Sequence, residues 1–126
     1  MTYSILVIDD EDAVRKNIVS FFEDEEFIVQ EAKTAEEGLD LLKNKTYDIA
    51  IVDMRLPGMD GNSFILNAQQ YASKMQFIIH TGSTSYTLPR ELMDLGISGD
   101  QVFLKPLTDM QVMLDAINKH LPGIIN

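Results

Sequence analysis

Five short apolar runs alternate with five helical patterns along this chain, and four of the five runs end on residues equipped for chemistry. The runs are Ile5 to Ile8, Phe27 to Ala32, Asp48 to Val52, Gln76 to His80 and Gln101 to Leu104. Ile5-Leu6-Val7-Ile8 and Ile49-Ala50-Ile51-Val52 have no polar break, as expected of strands buried on both faces. Phe27 to Ala32 is more polar and belongs nearer a sheet edge. Strands that alternate with helices in this way call for an open parallel sheet covered on both sides. The chain therefore reads as α/β, a three-layer (βα)5 sandwich.

The helices are patterned to match. The first carries Val14, Ile18, Phe21 and Phe22 as one apolar stripe and closes in the acidic run Glu23 to Glu26. Thr34-Ala35-Glu36-Glu37 has the spacing of a capping box, and the helix it starts buries Leu39 and Leu42. The third follows Gly61-Asn62 and turns Phe64, Ile65, Ala68 and Tyr71 inward. The fourth has Pro89 in its first turn, carries Leu92, Met93 and Leu95 as its apolar residues, and ends at Gly96. Thr108-Asp109-Met110-Gln111 has capping-box spacing, and the last helix carries Val112, Met113, Ala116, Ile117 and Leu121 before Pro122-Gly123 ends it. His80, at the end of the fourth run, reads as a satisfied loop histidine rather than a ligand, and His120 faces solvent.

A length of 126 residues fits one domain, here 1–121, with 122–126 as a tail or the start of a linker. A net charge of -10 disfavours direct binding of nucleic acid or of an anionic membrane, and suits a metal cation or a basic partner surface. With no cysteine, disulfides and thiolate zinc sites are excluded. The N-terminus shows no secretory pattern and no run approaches a membrane span, so the cytoplasm is the expected location.

In parallel α/β sheets, ligands bind beyond the carboxyl ends of the strands. There the sequence places Asp9 and Asp10 after the first strand and Asp53 after the third. Thr81-Gly82 follows the fourth and Lys105-Pro106 the fifth. Three crowded carboxylates repel, and a hard divalent cation such as Mg²⁺ relieves that cost through oxygen ligands. Lys105 adds a fixed positive charge. Thr81 can donate to an oxyanion, and Gly82 leaves room and a free N–H. No histidine base, nucleophile elbow or glycine-rich phosphate loop accompanies them. A carboxylate remains as the nucleophile, and carboxylates take phosphoryl groups as acyl phosphates.

Taken together, Asp9-Asp10, Asp53 followed by Leu56-Pro57-Gly58-Met59-Asp60-Gly61, Thr81-Gly82 and Lys105-Pro106 resemble the receiver domain of a two-component response regulator. The resemblance covers nearly the whole chain. It implies a flavodoxin-like fold with strand order 2-1-3-4-5 and a phosphorelay function. Asp53 would accept a phosphoryl group from a histidine kinase or a phosphotransfer protein. Asp10, Asp53 and the Arg55 carbonyl would ligate Mg²⁺, with Asp9 acting through water. Lys105, Thr81 and the N–H groups of Arg55 and Gly82 would hold the phosphoryl oxygens. An output domain or effector protein would read the resulting change, and a phosphorylation-dependent homodimer is a further expectation. The chain would not be an enzyme beyond its own phosphoryl transfer and self-dephosphorylation.

The sequence departs from the family where an aromatic residue normally couples to the threonine. That position holds Val102, with Phe103 beside it on the opposite strand face, so Tyr86 and Phe103 are the candidate switch residues. Two other readings bear on the same residues. One is a pseudo-receiver that keeps the fold as an interaction module. The other is an aspartate-nucleophile phosphohydrolase, for which Asp10-Glu11-Asp12 would supply the acid pair.

Overall fold

A computed structural model describes residues 2–121. The strands are β1 (Ser4–Ile8), β2 (Ile28–Ala32), β3 (Ile49–Val52), β4 (Gln76–Thr81) and β5 (Val102–Leu104). They alternate with α1 (Asp12–Asp24), α2 (Ala35–Leu42), α3 (Gly61–Tyr71), α4 (Arg90–Asp94) and α5 (Gln111–His120). All strand pairs are parallel, and the sheet order is β2-β1-β3-β4-β5. The fold is the flavodoxin-like three-layer sandwich that the alternation and the resemblance call for. The expected tail at 122–126, with Pro122-Gly123, lies outside the described residues.

Strand alternation divides the core in two. Leu6, Ile8, Ala50, Val52, Phe77 and Ile79 face the layer that contains Phe64, Ile65 and Leu92. Ile5, Val7, Ile49, Ile51 and Ile78 face Ile18 and Phe22 of α1 and Met113 and Ile117 of α5. Phe22 and Phe64 are each fully buried, contributing roughly 2–3 kcal/mol apiece in area removed from water. The sheet order turns back at β1, whose neighbours are β2 on one side and β3 on the other. The crevice of the fold therefore lies between the ends of β1 and β3.

Helix ends and faces differ from the sequence reading in specific places. Thr34 caps α2 as expected, its hydroxyl accepting the Glu37 N–H at 3.1 Å. Asp60 caps α3 by accepting the Ser63 N–H at 2.8 Å, so the helix begins at Gly61. Thr108 caps nothing. α5 begins later, at Gln111, and Asp109 accepts that residue's N–H at 3.0 Å. Pro89 lies just outside α4, which spans only Arg90–Asp94; Leu92 is buried there, whereas Met93 and Leu95 are exposed. Gly96 follows with a φ of +95°, which spares it the steric cost a side chain would carry.

Tyr71 is 53% exposed rather than inward. A period of 3.6 carries the face of Gly61, Phe64, Ile65 and Ala68 on to Ala72, which takes the inward place. By the same drift Val112 is exposed and Leu114 is buried in α5. On α2 the buried positions are Ala35, Gly38 and Leu42, with Leu39 at the margin. His80 lies within β4, as the run Gln76 to His80 has it, but it is buried with neither ring nitrogen hydrogen-bonded among the described residues, so it is not the satisfied histidine expected. His120 lies 3.3 Å from the Asp100 carboxylate instead of facing solvent freely.

Candidate functional site

β1 and β3 end side by side, and their ladders run on into the residues that follow. The Asp53 N–H donates to the Ile8 carbonyl at 2.9 Å, and the Asp9 N–H to the Ala32 carbonyl at 3.2 Å. Both carboxylates thus leave rigid strand ends at the crevice. Asp9, Asp10 and Asp53 each present an oxygen within 4.8 Å of the others, with Asp9 and Asp53 buried and Asp10 exposed. β5 brings in Lys105, whose N–H donates to the Thr81 carbonyl at 2.8 Å. The Lys105-Pro106 peptide bond is cis.

Lys105 is the electrostatic centre of the cluster. Its ammonium lies 2.9 Å from Asp9 Oδ2, 2.9 Å from Glu11 Oε1 and 3.4 Å from Asp53 Oδ2. Burial works against its charge, but the bonds to Glu11 and Asp9 and the charge of Asp53 outweigh it, so it titrates above the usual lysine range. Asp53 is 4% exposed. Burial, which the attraction of Lys105 only partly offsets, pushes its pKa up to about 6, and repulsion from Asp9 adds to the rise. Asp9 is also raised, by burial against the opposing Glu11 N–H and Lys105. The cluster carries more negative charge than one ammonium compensates. Three oxygen donors around such a deficit fit a hard divalent cation, so Asp9, Asp10 and Asp53 can hold a metal ion.

The remaining residues singled out in the sequence stand around this point. The Arg55 N–H donates to Asp53 Oδ1 at 3.3 Å, while the Arg55 side chain faces solvent. Thr81 is fully buried at the end of β4, and its hydroxyl oxygen accepts the Ser83 N–H at 3.2 Å. A Cβ added at Gly82 would meet nothing within 4 Å, so the space before its backbone is open. Tyr86 packs against the core layer that includes Val102, and its hydroxyl donates to Asn62 Oδ1 at 3.1 Å. Phe103 packs on the other side of the sheet, with the α1 and α5 layer. Asp12 stands apart from the cluster: its carboxylate accepts from Arg15 at 2.7 Å. The acid pair that a phosphohydrolase would need is therefore not assembled.

Two contributors escaped the sequence reading. Glu11 holds Lys105 across 94 positions of chain, and no local pattern announces such a partner. Arg15 is 2% exposed and ties three elements together. It donates to the Asp9 carbonyl at 2.9 Å, to Glu31 at 2.6 Å and to Asp12. Its signal was present, because positions 15, 18 and 22 share a helical face, and Arg15 is buried beside Val14, which packs partly buried against the same core. Arg15→Met would leave the buried Asp9 carbonyl without this donor. We expect a loss of about 2 kcal/mol in urea unfolding, with Lys restoring part of it.

A doubly wound parallel sheet that gathers carboxylates, a lysine and a buried threonine at its switch point is the build of a phosphoacceptor α/β domain. Residues 5–118 match the response regulator receiver domain family, and the chain belongs to that family. It takes the phosphoacceptor part in two-component signalling. It is 28% identical over 122 residues to sporulation initiation phosphotransferase F of Bacillus subtilis (strain 168), covering 97% of this chain and 96% of that protein. It also matches transcriptional regulators, of whose length it spans only 30% and 46%. A CheY-like receiver domain protein from Methanospirillum hungatei JF-1 superposes with a TM-score of 0.82 at 28% identity, covering 94% of this chain and 93% of that one. TrrA of Thermotoga maritima, solved with Mg²⁺ and BeF, shares the fold with a TM-score of 0.78 at 21% identity, covering 94% and 99%. Among the described residues, no helix is long and apolar enough to cross a membrane.

Proposed function

We propose that Asp53 is the phosphoacceptor, charged by a histidine kinase or a phosphotransfer protein. The observation that carries this is the convergence of Asp9, Asp10, Asp53 and Lys105 at one strand-end crevice. An Asp53 carboxylate oxygen attacks the donor phosphorus. The bond from phosphorus to the donor imidazole nitrogen breaks, its electron pair stays with the imidazole, and an acyl phosphate results. Lys105 exchanges Glu11 for a phosphoryl oxygen, and the N–H groups of Arg55 and Gly82 hold the others. The Thr81 hydroxyl donates to the same group. Asp10, Asp53 and the Arg55 carbonyl would hold Mg²⁺, with Asp9 behind a water. The bound ion would neutralise charge on the transferring oxygens.

The test is intact-mass measurement after incubation with acetyl phosphate and Mg²⁺. One phosphoryl adduct supports the reading; none would leave only the pseudo-receiver. On this reading the chain turns over no outside substrate beyond losing its own phosphoryl group, and it works in the cytoplasm, where it meets its kinase. An output domain or effector reads the change, and a phosphorylation-dependent homodimer is a second way to read it. Metal binding has its own expected result. Mg²⁺ at a hundredfold excess over its Kd should raise stability by about 2.7 kcal/mol, seen as a higher Tm. Asp10→Asn should need far more Mg²⁺ for the same rise.

The relay runs through Tyr86 on this reading. Drawing Thr81 toward a phosphoryl group breaks its bond from the Ser83 N–H, and the loop after β4 must move. Tyr86 ties that loop to the first turn of α3 through Asn62. Shifting a two-state equilibrium from 1:99 to 99:1 needs ~5.5 kcal/mol, which a few charge-assisted hydrogen bonds can supply. Tyr86→Phe removes only the tie. We expect amide exchange across residues 83–88 to quicken about fivefold while adduct formation at Asp53 continues. Unchanged exchange would take Tyr86 out of the relay.

A further inference from the structure

Arg15 places a full charge where an apolar side chain would pack. It shares the inward face of α1 with Ile18 and Phe22 and is buried as they are. A buried charge is costly, and a well-packed apolar residue often serves stability as well or better. Cohesion alone therefore does not account for an arginine at this position. Each nitrogen of its guanidinium donates to a different element. Nε reaches Glu31 of β2 at 2.6 Å, Nη2 reaches Asp12 in the first turn of α1 at 2.7 Å, and Nη1 reaches the Asp9 carbonyl, just past β1, at 2.9 Å. Lys16 donates to the other Glu31 oxygen at 2.9 Å, so Glu31 is held from both sides. The planar fork of the guanidinium fixes its three directions together.

The bond to the Asp9 carbonyl bears on the acid cluster. Asp9 is tied at every polar atom. Its N–H donates to the Ala32 carbonyl at 3.2 Å, its Oδ1 accepts the Glu11 N–H at 2.9 Å, its Oδ2 lies 2.9 Å from the Lys105 ammonium, and its carbonyl accepts from Arg15. Asp10 differs. It is exposed, and no hydrogen bond or ion pair among the described residues holds its side chain. Its place is set by the backbone that carries it. The peptide unit from Asp9 to Asp10 is planar, so holding the Asp9 carbonyl also holds the plane in which the Asp10 Cα lies.

We infer that Arg15 is a positioning residue of the metal site, holding the Asp9–Asp10 peptide so that the Asp10 carboxylate meets those of Asp9 and Asp53. The inference rests on the reading of this cluster as a Mg²⁺ site. Through Glu31 it also ties the site to β2, which lends the cluster no carboxylate. Charge alone gives the opposite sign. A guanidinium close to the cluster repels a cation, so its removal would tighten Mg²⁺ binding if its field were its only effect. Loss of positioning weakens binding instead. The direction of the change separates the two.

The test is calorimetric titration of the metal-free full chain with Mg²⁺ at neutral pH. Arg15→Met should bind Mg²⁺ about tenfold more weakly than the parent, the usual effect of removing a partner that orients a metal ligand. Arg15→Lys keeps the charge but not the fork. It should bind about threefold more weakly, and it decides the matter alone if Arg15→Met does not fold. Gly38→Ala disturbs only side chains of the core and should keep the parent's affinity. Parent-like or tighter binding in Arg15→Met, or in Arg15→Lys where only that variant folds, would overturn the inference. So would an equal weakening in Gly38→Ala, because lost stability would then explain the result. No Mg²⁺ binding by the parent would overturn the metal reading and this inference together. A parent that binds Mg²⁺ but takes up no phosphoryl group fails at Asp53, and the comparison of Arg15 variants still decides the role of Arg15.

Discussion

Asp53→Asn is expected to carry no phosphoryl adduct after treatment with acetyl phosphate and Mg²⁺, while the parent chain carries one. The amide keeps the shape of the side chain and can still accept the Arg55 N–H. It lacks the anionic oxygen that attacks phosphorus, and no second carboxylate occupies the same strand end. An adduct of equal yield in Asp53→Asn would move the phosphoacceptor elsewhere and sink the assignment.

The same substitution should stabilise the metal-free chain, which separates loss of function from loss of fold. Asp53 has its pKa raised from 3.8 to about 6 in the folded chain. Between those values the folded state binds more protons than the unfolded one. Stability from this group is therefore fully present below pH ~3.8 and is lost as pH rises through about 6. At pH 7 the ionised carboxylate costs on the order of 2–3 kcal/mol, net of its attraction to Lys105, which the raised pKa already includes. Asp53→Asn should melt higher than the parent at pH 7, and the difference should shrink toward pH 4. A lower Tm at pH 7 would show that the Lys105 contact outweighs the burial of the charge.

What was legible in the sequence was what depends on period and on strand ends. Ile49 to Val52 announces a doubly buried strand because nothing polar interrupts it, and Asp53 follows because a charge cannot continue that run. Asp9, Thr81 and Lys105 fall into place once the strands are taken as parallel. Thr34 is legible because a cap acts within four residues. What could not be read is where partners lie far apart in sequence or where one period drifts into another. Lys105 and Glu11 meet only through the sheet order. Tyr71 lies one position from Ala72 and Val112 two from Leu114, too little for a pattern to separate the exposed from the inward residue. Thr108 has a cap's neighbours but α5 starts too late to use it. A satisfied His80 is the ordinary expectation, but the sheet register buries it with both ring nitrogens unpartnered among the described residues.

Gly61→Ala should cost about 3 kcal/mol and slow phosphorylation, although Gly61 touches no substrate. Gly61 opens α3 where the loop from Asp53 turns back, and its N–H donates to the Met54 carbonyl at 3.1 Å. A Cβ there would run into the Asp53 carbonyl oxygen and would lie 2.8 Å from the Met54 Cα. Both are backbone atoms, and moving them moves the Asp53 side chain. Gly38 supplies the contrast. A Cβ at Gly38 would lie 2.7 Å from Ile8 Cδ1 and 2.9 Å from Phe64 Cε1, which are ends of side chains that can give way. Gly38→Ala should therefore lose stability without slowing adduct formation, whereas Gly61→Ala should do both. A displacement of about 1 Å at a reacting group can cost a hundredfold in rate. Urea unfolding and the rate of adduct formation, measured on both variants, decide it. If the two variants phosphorylate equally fast, the backbone around Gly61 does not set the position of Asp53.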